Sequence, residues 1–198
     1  MVKDIAPGAA GSNPSNLIAV NGTLFFTAFS TGFGTELWKS DGTDAGTVRV
    51  KDINPGLFSS GPANLTNVNG TLFFIARSPG IGVELWKSDG TEAGTVLVTD
   101  VFAGSVSSTP MSLTAFNGKL LFNGFNGING NELWISDGTP AGTVLVKDIF
   151  PGLLGSIYPG NAQLSQVMIA LSHSAALAAS DGFTGLEFGR RMEWASAP

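Results

Sequence analysis

Apolar residues in this chain cluster in short stretches, and Gly, Asn, Thr or Pro breaks the pattern roughly every ten residues, as in a protein of many short strands. Strands are expected over residues 16–20, 23–29, 36–40 and 47–53. Between the first two sits Asn21-Gly22, the dipeptide that best fits a two-residue type I′ hairpin turn. Glycines at 32 and 34 separate the second strand from the third. The turn from Asp41 to Gly46 separates the third from the fourth. The fourth is β-branched at Thr47, Val48, Val50 and Ile53, as strands prefer, and Pro55-Gly56 ends it. Phe25 and Phe26 are adjacent, so they lie on opposite faces of their strand. A strand apolar on both faces is buried on both, which predicts sheets stacked face to face. No helical stripe persists. The one helix-compatible stretch, residues 162–179, reads as strand by register with the rest.

The whole unit then repeats. Glu36-Leu37-Trp38-Lys39-Ser40-Asp41-Gly42-Thr43 returns at Glu84 to Thr91 and again at Glu132 to Thr139, at the same interval each time. Asn69-Gly70 and Asn117-Gly118 repeat the hairpin turn; Phe73-Phe74 and Leu121-Phe122 repeat the apolar pair. A fixed period of about 48 residues marks an array of identical supersecondary units. The repeats run over about 2–49, 50–97, 98–145 and 146–198, and the last is degenerate. It keeps a glutamate, Glu187, but Phe188-Gly189 replaces Leu-Trp, the Ser-Asp-Gly-Thr turn is gone, and there is an insertion between 150 and 163. Val2-Lys3-Asp4-Ile5 matches Val50-Lys51-Asp52-Ile53, so the chain begins in mid-repeat. The reading is all-β: a single β-propeller of four four-stranded blades, its ring closed by the N-terminal strand pairing with the last blade. Closure in this way would remove the exposed sheet edges. If the ends do not meet within one chain, two chains could form an eight-bladed ring or add end to end.

The 198 residues suffice for a core without staples, and the absence of cysteine removes any disulfide or thiolate site. The net charge is -5, with 11 of the 15 acidic residues at repeat-locked positions, so the acidity belongs to the motif rather than to a tail. It argues against non-specific binding to nucleic acid or anionic membranes. The N-terminus lacks the apolar core of a signal peptide, and no apolar run is long enough to predict a membrane-spanning helix.

Glu-Leu-Trp-x-x-Asp-Gly-Thr-x-x-Gly-Thr at residues 36–47, 84–95 and 132–143 resembles the ELWxxDGT repeat family of bacterial proteins. The resemblance covers residues 2 to about 150 well and the rest weakly. It implies a propeller-like repeat with an extracellular or cell-surface tendency, and it carries no catalytic residues. The Ser-Asp-Gly-Thr turn is also similar in placement to the Asp-box of sialidase-type propellers, where it is structural.

Three sets of repeated residues are candidates for chemistry. Trp38, Trp86 and Trp134 could be stacking platforms for sugar rings, or core between blades; core is favoured because Trp is mostly buried. Glu36, Glu84, Glu132 and Glu187 could form a ring of acids for a cation or basic partner. Hydrogen bonds to backbone or an ion pair to the neighbouring blade are favoured over the ring. Asp41, Asp89 and Asp137 are weak metal candidates, since a calcium loop needs several oxygens at close spacing and the second acid varies from Asp44 to Glu92 to Pro140. An Asx-type turn accounts for them better. The lone His173 has no nucleophile beside it, and Arg49, Arg77, Lys119, Arg190 and Arg191, the other polar residues found in one repeat only, suggest no acid–base pair. The expected protein is therefore not an enzyme and needs no cofactor. It is a binding or structural module for a glycan, a surface protein or further copies of itself. The alternative is a propeller hydrolase or lyase with its site at the channel mouth.

Overall fold

A computed structural model describes residues 1–8 and 11–149. Twelve strands form three four-stranded antiparallel sheets, each a simple meander. The first sheet holds β1 Ser15–Val20, β2 Thr23–Ser30, β3 Gly34–Ser40 and β4 Val48–Lys51. The second holds β5 Ala63–Val68, β6 Thr71–Ser78, β7 Gly82–Ser88 and β8 Val96–Thr99. The third holds β9 Met111–Phe116, β10 Lys119–Phe125, β11 Asn131–Ser136 and β12 Val144–Lys147. Four strands per repeat is what the pattern predicts. Among the described residues there is no helix, and the sheets do not close into a ring.

The hairpin turns are type I′. Asn21 and Gly22 both have positive φ, 49° and 78°, and so do Asn69-Gly70 and Asn117-Gly118. The first strand of each sheet carries a bulge at Asn16, Asn64 and Ser112, each in the left-handed region, where the ladder register shifts. The bulge accounts for Asn64-Leu65-Thr66, a sequence otherwise readable as a glycosylation sequon, since Thr66 Oγ1 donates to Asn64 O.

Neighbouring sheets share a core. Phe25, Leu37 and Val50 of the first sheet, with Ile53 just after it, pack against Leu72, Phe74, Ala76 and Trp86 of the second. Val68, Phe73, Leu85 and Val98 pack in the same way against Leu120 and Phe122 of the third, with half-buried Trp134 alongside. The adjacent apolar pairs thus do what the sequence implies: Phe73 faces one neighbour and Phe74 the other. Successive sheets keep the same sense, since Asn21 Nδ2 donates to Gly70 O (3.0 Å) across adjacent hairpin turns. Consequently the Asn-Gly and Ser-Asp-Gly-Thr turns of every sheet lie at one end, the hairpin end. The β2–β3 type turns and the loops between sheets lie at the other, the linker end.

Two expectations change. The fourth strand stops at Lys51 rather than residue 53, because the Ile53 N–H turns inward to Glu36 instead of continuing the ladder. Residues 2–5 form no strand, because the described residues offer them no ladder partner. The fourth repeat, with Glu187, His173, Arg190 and Arg191, lies outside the described residues.

Candidate functional site

The repeated glutamates are the most deeply placed charged groups. Glu36, Glu84 and Glu132 are fully buried on the third strand of their sheets. Glu36 accepts from the backbone N–H of Ser60 (2.8 Å) and of Ile53 (3.2 Å), and from the Ser60 hydroxyl. Glu84 repeats this with Ser108 N–H (2.6 Å), Val101 N–H (3.3 Å) and the Ser108 hydroxyl. Glu132 accepts from Ile149 N–H (3.2 Å). The partners of Glu36 and Glu84 come from the same two places in each repeat, both on the loop that leads to the next sheet. Each carboxylate is a latch that ties its own sheet to that loop. Hydrogen bonds to backbone, the favoured reading, describe Glu36, Glu84 and Glu132; Glu187, the fourth acid of the ring reading, lies outside the described residues.

Burial pushes the Glu84 carboxyl up from 4.5 to about 6, with Asp100 adding to the rise, and the three donors only partly offset this. Glu36 is raised for the same reasons, with Asp52 as its acidic neighbour. A raised carboxyl pKa means that the folded state binds more protons than the unfolded chain between about 4.5 and about 6. Stability from this group is therefore fully present below about 4.5 and is lost as pH rises through that window, by about 2 kcal/mol for Glu84. Urea unfolding from pH 4 upward should show this decline. Glu84→Gln should flatten its own share, and an unchanged slope in that variant would remove the assignment.

The turn aspartates do a different job. Asp41 Oδ1 accepts from Thr43 N–H (2.9 Å) and the Thr43 hydroxyl (2.7 Å), and Thr43 Oγ1 accepts from Gly46 N–H (2.9 Å). Thr47 Oγ1 donates to Thr43 O (2.6 Å) and shares a hydrogen bond with Ser40 Oγ (2.7 Å). Asp89 and Asp137 sit in identical networks. A Cβ on Gly46, Gly94 or Gly142 would overlap the aspartate carboxylate, which is why the motif ends in Gly-Thr. The hydrogen bonds from Thr43 and Thr139 hold Asp41 and Asp137 below the usual carboxylate range, and those from Thr91 hold Asp89 there. All of the fixed positions in Ser-Asp-Gly-Thr-x-x-Gly-Thr are thus accounted for by the turn itself. Among the described residues no three acidic or histidine side chains converge on a metal-sized site.

Trp38 and Trp86 are buried, and a sugar ring has no access to either as placed. Trp86 belongs to the core between the first two sheets, while Trp38 packs with Phe26, Ala28 and Ile5. Trp134 is half-buried; it stacks on Phe122 at 6.4 Å and donates from Nε1 to Gly124 O (3.1 Å). The single-repeat cations do not gather. Arg49 lies over the Phe33 ring at 3.4 Å in the first sheet, Arg77 is in β6 and Lys119 opens β10.

What reasoning from sequence missed is a surface groove at the hairpin end, on the seam between the first two sheets. Asn21, Lys39, Gly70 and Asp89 line it. The next seam places Gly138 against Phe73 and Lys87 in the same manner. The signal was available, since Lys39 and Lys87 recur directly after the tryptophans. No family model matches the chain, and no curated protein does.

Proposed function

We propose that this chain is a non-catalytic repeat propeller that serves as a binding or assembly module at the cell surface, with a glycan or a surface protein as its ligand. The observation that carries the reading is where the repeated polar groups go. The glutamates latch sheets to loops, the aspartates hold turns, and neither Glu36 nor Glu84 has an oxygen left facing a cleft. That disposition suits a scaffold, and among the described residues it offers the hydrolase or lyase reading no acid–base pair. The surface location rests on the resemblance to ELWxxDGT repeats. Among the described residues no helix is long and apolar enough to cross a membrane.

The hairpin-end seams are the proposed glycan surface. Asn21, Lys39 and Asp89 line the first seam, side chains of the donor and acceptor types that sugar hydroxyls use. A polysaccharide array probed with the full chain is expected to give binding that Lys39→Glu removes. Turnover of any arrayed glycan, or binding indifferent to Lys39, would defeat the reading.

Closure into four blades belongs to the same proposal. Val146 and Ile149 are half exposed on the third sheet, whereas their counterparts Val50 and Ile53 are covered by the second sheet. At the other end, Ile5 and Ser12 occupy the places of Ile53 and Ser60, and Ser12 O accepts from Phe29 N–H as Ser60 O does from Arg77 N–H. By sequence register the matching glutamate is Glu187, which lies outside the described residues. Deletion of residues 1–6 is expected to unfold a self-closed ring; a truncated chain with unaltered unfolding would show that the ring is open.

A further inference from the structure

The two ends of the sheets differ in chemistry. The hairpin end carries Asp41, Asp44, Asp89, Glu92 and Asp137 in its turns. Among the described residues the linker end is built from 5–8, 11–14, 31–35, 53–62, 79–83, 101–110 and 126–131, and these contain no charged residue. Three of the acids that border them are half-buried: one oxygen of each of Asp52, Asp100 and Asp148 is buried, Asp100 accepts from Gly104 N–H, and Asp148 accepts from Asn129 Nδ2. Asp4 and Arg77 are exposed charges at the border, and the Arg49 guanidinium lies over the Phe33 ring.

Large apolar side chains stand out from this uncharged end. Leu57 is 80 % exposed, Phe58 71 % and Ile128 75 %, with Val106 and Phe33 also open to solvent. They are held in place. Thr35 N–H donates to Ser59 Oγ (2.9 Å), Gly61 N–H to Thr35 O (3.1 Å), and Val83 N–H to Ser107 Oγ (2.8 Å). Gly34, at φ 68°, lies so close to the Phe58 backbone that a Cβ would approach it to 2.8 Å. The exposure is therefore a fixed presentation on tied loops, which lowers the ordering cost of docking. Leu57 and Phe58 adjoin, and contiguous apolar surface is what is uncommon on a face that meets only water.

We propose that the linker end is a self-association surface, with a second copy of this chain as its occupant. Loops that carry no charge and hold out apolar tips suit a partner face of the same kind, and the chain supplies one in itself. With a net charge of -5 and the turn acids at the far end, meeting linker end to linker end keeps the acidic turns of two copies apart. A bilayer with anionic lipids is a poorer occupant, since these loops offer no lysine or arginine to its headgroups. The inference does not rest on glycan binding or on ring closure.

Sedimentation velocity of the full chain over a concentration series tests it. A reversible dimer is expected, and it should not weaken as NaCl rises from about 0.05 to about 0.5 M, because no ion pair holds it. Leu57→Ser with Phe58→Ser should weaken the dimer at least about 30-fold while leaving unfolding of the dilute chain unchanged. Ile128→Ser, on a different sheet, should weaken it independently, and Asp44→Ser at the far end should not. A monomer at every concentration would overturn the proposal. So would association indifferent to both linker-end variants. Sedimentation with neutral phosphatidylcholine vesicles, abolished by the double variant, would replace the second copy by a lipid surface.

Discussion

Replacing Glu84 with alanine is expected to lower the unfolding free energy by about 4 kcal/mol, a large share of what a small domain has. The reason is what the side chain leaves behind. Val101 N–H, Ser108 N–H and the Ser108 hydroxyl all point at its two oxygens. Ser108 is fully buried, so water does not readily replace the lost acceptor there. Removing one partner of a buried hydrogen bond exposes the full desolvation cost of the other, about 1–3 kcal/mol for each group. Glutamine does not rescue it fully. Whichever way its amide is turned, one backbone N–H faces an NH2 group and loses its acceptor. Glu84→Gln should therefore fall between wild type and alanine at neutral pH. Urea unfolding with an unchanged m-value would give both differences. A loss below about 1 kcal/mol for alanine would mean that the loop to the third sheet is held by something else.

Much of the scaffold is legible in the chain. The constant step of the repeat sets the number of sheets, Asn-Gly sets the hairpin type, and Phe25-Phe26 sets burial on both faces. Each of these is a local signal, because turn chemistry and alternation are decided by residues in contact along the strand. The latch was only half legible. Its signal is a serine at one fixed offset beyond each glutamate: Ser60, Ser108 and Ser156. Such spacing means nothing until the loop's path is known. Bulges at Asn16, Asn64 and Ser112 were hidden because asparagine and serine serve strands, turns and sequons alike. Leu57 and Phe58 carry no sequence signal of how they are presented. Their exposure follows from the close approach of Gly34 to the Phe58 backbone, a tertiary contact with no mark in the linear pattern.

Trp86→Ala is expected to cost about 4 kcal/mol in unfolding free energy, and this separates the two uses to which the repeated tryptophan could be put. Trp86 shares a core with Phe25 and Leu37 of the preceding sheet and with Phe74 of its own. Truncation would leave a cavity in a layer whose neighbours are held by ladders on both sides, so little collapse can fill it. Its Nε1 has no hydrogen-bond partner, so Trp86→Phe loses packing but no hydrogen bond and should cost only about 1–2 kcal/mol. Trp134 is the internal contrast. It is half-buried and its Nε1 bonds to Gly124 O, so Trp134→Phe forfeits a hydrogen bond that Trp86→Phe does not. A tryptophan serving as a sugar platform would behave the other way, losing ligand on truncation and leaving unfolding almost untouched. Equilibrium unfolding of the three variants decides between them. Trp86→Ala within about 0.5 kcal/mol of wild type would place this residue outside the core and reopen the platform reading.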